Sequence, residues 1–167
     1  MTPGKRYWHD VVGYNYRLTN LQAALGCAQF EQLPEFRRKR KQIYSWYKTY
    51  LLSSGFFYVQ ELREGYESSY WLFTVGLKEH SLIARDDLIE KLSRFGVDTR
   101  PVFYPMSQMP PFASCDKHLL GVSVSVAANG ICLPTSVYLD EEDIKEISEK
   151  VVGAIESYIQ LQQVYSL

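Results

Sequence analysis

The 167-residue sequence predicts an α/β fold of the α+β kind, a small sheet covered by helices. Long helical periodicities stand near both ends of the chain, each with its own start signal. Short runs rich in β-branched and aromatic residues lie between them. Gly and Pro punctuate the runs without a clear linker, an internal repeat or a low-complexity segment, so one domain with a real core is expected.

The first element is an arm. Pro3 and Gly4 disfavour regular structure over residues 1–12, and Tyr7 and Trp8 have no local apolar group to bury them. Such an arm is expected to lie against something other than its own neighbours. The first helix then runs from about Asn20 to Gln32, and Thr19 and Gln22 form a capping box at its start. Leu21, Leu25 and Ala28 share one of its faces. Asn15 and Arg17, polar groups just before a capped helix, are placed to meet an anion or a partner. Pro34 either kinks one long helix or opens a second, where its missing N–H does no harm. The second pattern continues to about Leu52 with Phe36, Ile43, Tyr47 and Tyr50 at helical spacing, and Ser53-Ser54-Gly55 ends it. Its basic run Arg37–Lys41 is either a nucleic-acid contact or a solvated face.

Phe56–Val59 reads as a strand, and Ser69–Leu77 as the strongest strand, central and buried on both faces. A short helix follows, with Asp86 and Asp87 in its first turn, a buried face of Leu88, Ile89, Leu92 and Phe95, and Gly96 as its stop. The paired carboxylates there serve either acid–base chemistry or the helix dipole. Val97–Arg100 reads as a strand. Pro101, Pro105, Pro110 and Pro111 then stiffen an extended segment around Phe103, Tyr104 and Met106, either a pocket wall or a rigid connector. A loop and a short helix near Val122–Ala128 lead to a last strand over Gly130–Pro134. Asp140 caps the terminal helix, Leu139 staples to Ile144, and Ile144, Ile147, Val151, Ala154, Ile155 and Tyr158 form its apolar face.

Composition excludes several classes. Hydrophobic residues make up 46% and charged residues 22%, as in a soluble globular protein. A net charge of −1 argues against a dedicated nucleic-acid binder. Aromatics reach 14%, including 13 Tyr, which suggests a surface or crevice rich in amphipathic rings. Cys27, Cys115 and Cys132 make no disulfide framework, so a reducing cytoplasm is expected. No apolar run is long enough for a membrane span, and the N-terminus lacks a signal-peptide core. No GxGxxG or Walker loop offers a phosphate cradle. His9, His80 and His118 stand in unrelated contexts, without metal-ligand spacing.

Several stretches taken together resemble one family. Gly13-Tyr14-Asn15-Tyr16-Arg17-Leu18-Thr19-Asn20-Leu21-Gln22-Ala23-Ala24-Leu25-Gly26 is similar to the signature segment of the DegT/DnrJ/EryC1/StrS sugar aminotransferases. Trp71-Leu72-Phe73, Arg85-Asp86-Asp87-Leu88, Gly96–Pro101, Tyr104-Pro105 and Leu133-Pro134-Thr135 follow in the family's order. Thr99–Pro105 most resembles the GDP-perosamine synthase branch. The resemblance implies the C-terminal domain of a fold-type I aminotransferase, a small mostly antiparallel sheet covered by helices, with residues 1–18 as arm and active-site turn and 19–167 as the small domain.

It also implies pyridoxal phosphate (PLP) as cofactor, a nucleotide-linked keto-sugar as substrate and glutamate as amino donor. The family's Schiff-base lysine and the acid paired with the pyridine nitrogen belong to a large N-terminal domain, and no lysine here stands in a matching context. The chain alone is therefore expected to be inactive and to hold no tightly bound cofactor. A separate N-terminal half is one implied partner and a second copy another; nucleic acid and membrane are not. The alternative is a non-catalytic interaction or dimerisation module. The resemblance assigns Asn15 to the PLP phosphate of a neighbouring subunit, and Arg17 and Tyr104 to substrate, with Tyr7-Trp8-His9 joining the shared site. Ser107 departs from the family, standing where many members carry histidine.

Overall fold

The computed structural model describes residues 7–115 and 121–165, and the expectation for His118 falls outside them. Five α-helices and four strands follow one another as α1 (Asn20–Glu31), α2 (Leu33–Leu52), β1 (Phe57–Tyr58), β2 (Phe73–Leu77), α3 (Arg85–Arg94), β3 (Arg100–Pro101), α4 (Gly121–Asn129), β4 (Gly130–Leu133) and α5 (Glu141–Tyr165) among the described residues. The strands form one sheet in the order β1-β2-β4-β3, with every neighbouring pair antiparallel. No helix among the described residues is long and apolar enough to cross a membrane.

Side-chain alternation divides the sheet. Phe73, Val75 and Leu77 of β2 and Ile131 and Leu133 of β4 point to one face and are buried. Helices α2, α3 and α5 cover that face with Ile43, Tyr47, Leu51, Leu88, Leu92, Ile144, Val151 and Ile155. The Tyr47 ring stacks on Phe73 at 4.6 Å, and its hydroxyl donates to the Pro134 carbonyl at 2.9 Å. Burial pushes that phenol's pKa well up, so Tyr47 stays neutral. On the opposite face Gly76 and Gly130 sit side by side. A Cβ at Gly76 would enter the Tyr58 ring, and one at Gly130 would meet Val102 and the Val126 carbonyl. The two glycines thus let a ring and the end of α4 lie directly on the sheet.

Local signals set the boundaries. Pro34 opens α2 instead of kinking a longer helix. The Thr19–Gln22 box closes in both directions: the Gln22 N–H donates to Thr19 Oγ1 at 3.3 Å and the Thr19 N–H to Gln22 Oε1 at 2.9 Å. Asp140 and Asp143 form the same reciprocal pair before α5, both bonds 3.0 Å. Helix α3 ends as expected at Gly96, with φ +76° and the Val97 N–H closing onto the Leu92 carbonyl.

The strand expected over Phe56–Val59 is shorter, Phe57–Tyr58, and three further departures from expectation have a local cause. The strand expected over Ser69–Leu77 begins only at Phe73, because Tyr70 adopts φ +53° and its ring turns back onto Tyr44 at 5.3 Å. The strand expected over Val97–Arg100 is Arg100–Pro101, because Val97 is used in stopping α3. Phe95, expected in the buried face of α3, caps that helix and is 50% exposed.

Candidate functional site

The arm finds its cover on the Pro-rich segment. Tyr7 packs on Phe103 with centroids 4.5 Å apart, and Trp8 meets Tyr104 edge-on at 5.7 Å. These two aromatic pairs lay the following residues of the arm across the segment, and an open cavity of about 690 Å³ lies between them. Asn15 and Tyr104, 89 positions apart in sequence, both line it, as do Met106 and Met109. Of the two readings of the Pro segment, the pocket wall is therefore the one seen. Short 3-10 turns over Met106–Gln108 and Pro110–Phe112 shape that wall. The Ser107 hydroxyl is buried there without a hydrogen-bond partner among the described residues.

The described residues lining this cavity include no lysine, arginine or carboxylate. Its polar groups are the Asn15 amide, His9 and phenol hydroxyls, which can donate to an anion or a sugar oxygen but supply no amine nucleophile. Arg17 is exposed and is not among the lining residues, so the structure brings together Asn15 and Tyr104 but not Arg17. A second cavity of about 530 Å³ lies over the glycine pair on the far side of Phe103, bounded by Val102, Phe103 and α4.

Two guanidiniums stand behind the aromatic pairs. Arg100 donates to the Tyr7 hydroxyl at 3.5 Å and lies 3.8 Å from Asp98. The Tyr7 contact comes first among the causes that raise its pKa. Its sheet neighbour Cys132 bonds Thr74 at 3.3 Å, and burial pushes that thiol up, partly offset by Thr74 and Arg100. Arg85 is 7% exposed and its guanidinium lies 6.0 Å over the Tyr104 ring. The sequence offered a signal for Arg85: a cation in the first turn of a helix opposes the dipole. Three members of the basic run of α2 are ion-paired, Arg38 with Glu35 at 2.8 Å and Arg37 and Lys41 with Glu67 at 2.9 and 3.6 Å. Asp86 pairs with Arg85, which binds the α3 carboxylate into a structural contact.

Comparison with known proteins agrees with this architecture. The family model described as DegT/DnrJ/EryC1/StrS aminotransferase family matches residues 1–152. The chain is 35% identical to the GDP-perosamine synthase of Caulobacter vibrioides over 95% of this chain and 42% of that protein. It is 36% identical to the GDP-perosamine synthase of Vibrio cholerae over 86% of this chain and 39% of that one. Among solved structures, DesI with its TDP-sugar product superposes with a TM-score of 0.77 at 20% identity, covering 87% of this chain and 38% of that one. Helicobacter pylori PseC, an aminotransferase of pseudaminic acid biosynthesis, gives 0.73 at 21% identity over 88% and 40%. The chain spans about two fifths of the length of these relatives.

Proposed function

Since the chain belongs to the DegT/DnrJ/EryC1/StrS aminotransferase family, we propose that it forms the C-terminal part of a PLP-dependent aminotransferase acting on a nucleotide-linked keto-sugar, with glutamate as amino donor. The observation that carries this reading is the shared cavity of Asn15 and Tyr104, brought together from 89 positions apart. The residues present fit one edge of the cofactor and not its reactive end. The Asn15 amide suits a phosphate oxygen, while no lysine or carboxylate among the described residues lines the cavity to hold the aldehyde carbon or the ring nitrogen. No chemical step is assigned to this chain. Its part is to bind and orient: Asn15 donates to the phosphate in a neighbouring subunit's site, Tyr104 and the methionine wall exclude water beside the sugar, and Arg17 meets a substrate anion from outside the cavity.

The experiment is a chimera in which residues 7–165 replace the matching segment of the Caulobacter vibrioides enzyme. Transaminase activity that falls at least about tenfold on Asn15→Ala supports the reading, as loss of one charge-assisted bond predicts. A PLP band on the isolated chain that borohydride fixes to one of its own lysines overturns it.

A specific observation favours association as well. Helix α1 buries none of its residues, and Leu21, Leu25 and Phe30 are exposed. A helix of this length is marginal in water without tertiary packing, and apolar surface of this kind marks a protein contact. We infer that the arm and α1 pack onto a second copy. Sedimentation equilibrium of the chain, with Leu21→Lys and Leu25→Lys together, tests this; dimers in the variant reject it.

A further inference from the structure

We propose that Arg85 is the positioning residue that seats the Tyr104 ring in the wall of the cavity. Arg85 stands at the first position of α3, where the helix dipole disfavours a cation. Its side chain is nonetheless folded inward, only 6% exposed, which no unpaired guanidinium tolerates. Three elements hold it. The Nη1 group donates to the carbonyl of Ala127 in the last turn of α4, one of the acceptors a helix leaves open at its C-terminus. There the dipole favours the charge that α3 repels. Nε donates to the Asp86 carboxylate at 2.7 Å, itself 76% exposed. The guanidinium carbon Cζ lies over the Tyr104 ring, 6.0 Å from its centroid.

Trp8 of the arm then meets Tyr104 edge-on, so the order Arg85, Tyr104, Trp8 runs from the body of the domain out to the arm. Arg100 makes the parallel but looser arrangement under Tyr7, with its side chain 49% exposed. The buried cation is the fixed point of the two. Lysine would keep the charge but could not donate to Ala127 and Asp86 while presenting a plane to the ring. That the seated ring meets a substrate rests on the proposed function; that Arg85 seats it does not.

The test follows the indole N–H resonances of Trp8, Trp46 and Trp71 in the ¹⁵N-labelled full chain, assigned through single Trp→Phe variants. Arg85→Lys is expected to move the Trp8 resonance toward its unfolded position and to leave Trp46 in place. The Gln108 and Met109 amides, which close the turns of the wall, should exchange at least about tenfold faster. Tyr104→Leu should reproduce the Trp8 change with Arg85 intact, and Tyr104→Phe, which keeps the ring, should not. Arg85→Met removes the donor to Ala127 and risks unfolding the chain, so the lysine and Tyr104 variants decide. An Arg85→Lys spectrum in which Trp8 and both amides stay unchanged, or in which all three indoles move alike, overturns the proposal. Failure of the chimera to transaminate would leave these spectra untouched and count against the functional reading instead.

Discussion

Helix α2 buries Ile43, Tyr47 and Leu51 completely, while α1, directly before it and carrying Leu21, Leu25 and Phe30, buries nothing. The same contrast extends to the flanking segments. Residues 33–165 supply the whole connected core, whereas Val11, Val12, Tyr14, Tyr16 and Leu18 of the arm are all more than 60% exposed. Hydrophobicity therefore serves two purposes in one chain. In the body it drives folding, at roughly 25 cal/mol per Å² of apolar area removed from water. In the arm and α1 Tyr7 and Trp8 stack on rings of the body, and the exposed apolar surface that remains is available to another molecule.

The largest test of that contrast is truncation of a core ring. Tyr47→Ala removes the stack on Phe73 and leaves the Pro134 carbonyl without its donor. It should cost about 3–5 kcal/mol in urea-induced unfolding. Leu25→Ala on α1 should change the same measurement by less than about 0.5 kcal/mol. Equal losses at the two sites would mean that α1 folds as part of the body.

A smaller effect probes the open face of the sheet. Gly130→Ala drives a Cβ to 2.6 Å from the Val126 carbonyl, a backbone atom that cannot swing aside. Gly76→Ala meets the far end of the Tyr58 side chain, which is 39% exposed and can rotate away. The first should therefore destabilise by about 1–3 kcal/mol and the second by less. Chemical denaturation of both variants ranks them, and the reverse ranking would show that Tyr58 is locked in place.

Local devices were legible from sequence in both regions, for a physical reason. Caps, helix faces and the Gly96 stop depend on groups a few residues apart, and Thr19, Asp140 and Gly96 all act as the sequence indicated. The reversal at Tyr70 depends on Tyr44, 26 positions earlier, and no local pattern encodes a positive φ at tyrosine. The Arg85 contact reaches Ala127 across 42 positions. At the candidate site, sequence chemistry alone identified a polar-aromatic turn and a stiff aromatic segment, and family resemblance singled out Asn15 and Tyr104. Their meeting in one cavity needed the arm to dock through Tyr7 and Trp8, which composition shows as unburied rings without naming their seat. Arg17 remained off the cavity because its side chain lies on the exposed run leading into α1.

The finest comparison uses one chemical device placed in both regions. Thr19 with Gln22 and Asp140 with Asp143 are reciprocal caps, each satisfying two N–H groups that a helix start leaves open. Removing a cap costs about 0.5–2 kcal/mol of helix stability wherever it stands. Only α5 is coupled to the core through Ile144, Val151 and Ile155, so Asp140→Ala should lower the global unfolding free energy by about 1 kcal/mol. Thr19→Ala spends its loss inside α1: global unfolding stays within about 0.5 kcal/mol, while amide exchange over Asn20–Glu31 accelerates. Adding a partner that covers Leu21 and Leu25 would make α1 cooperative with the assembly. Thr19→Ala would then weaken association by about the cost of the lost cap, so the same substitution reads zero in the free body and a full cap in the complex.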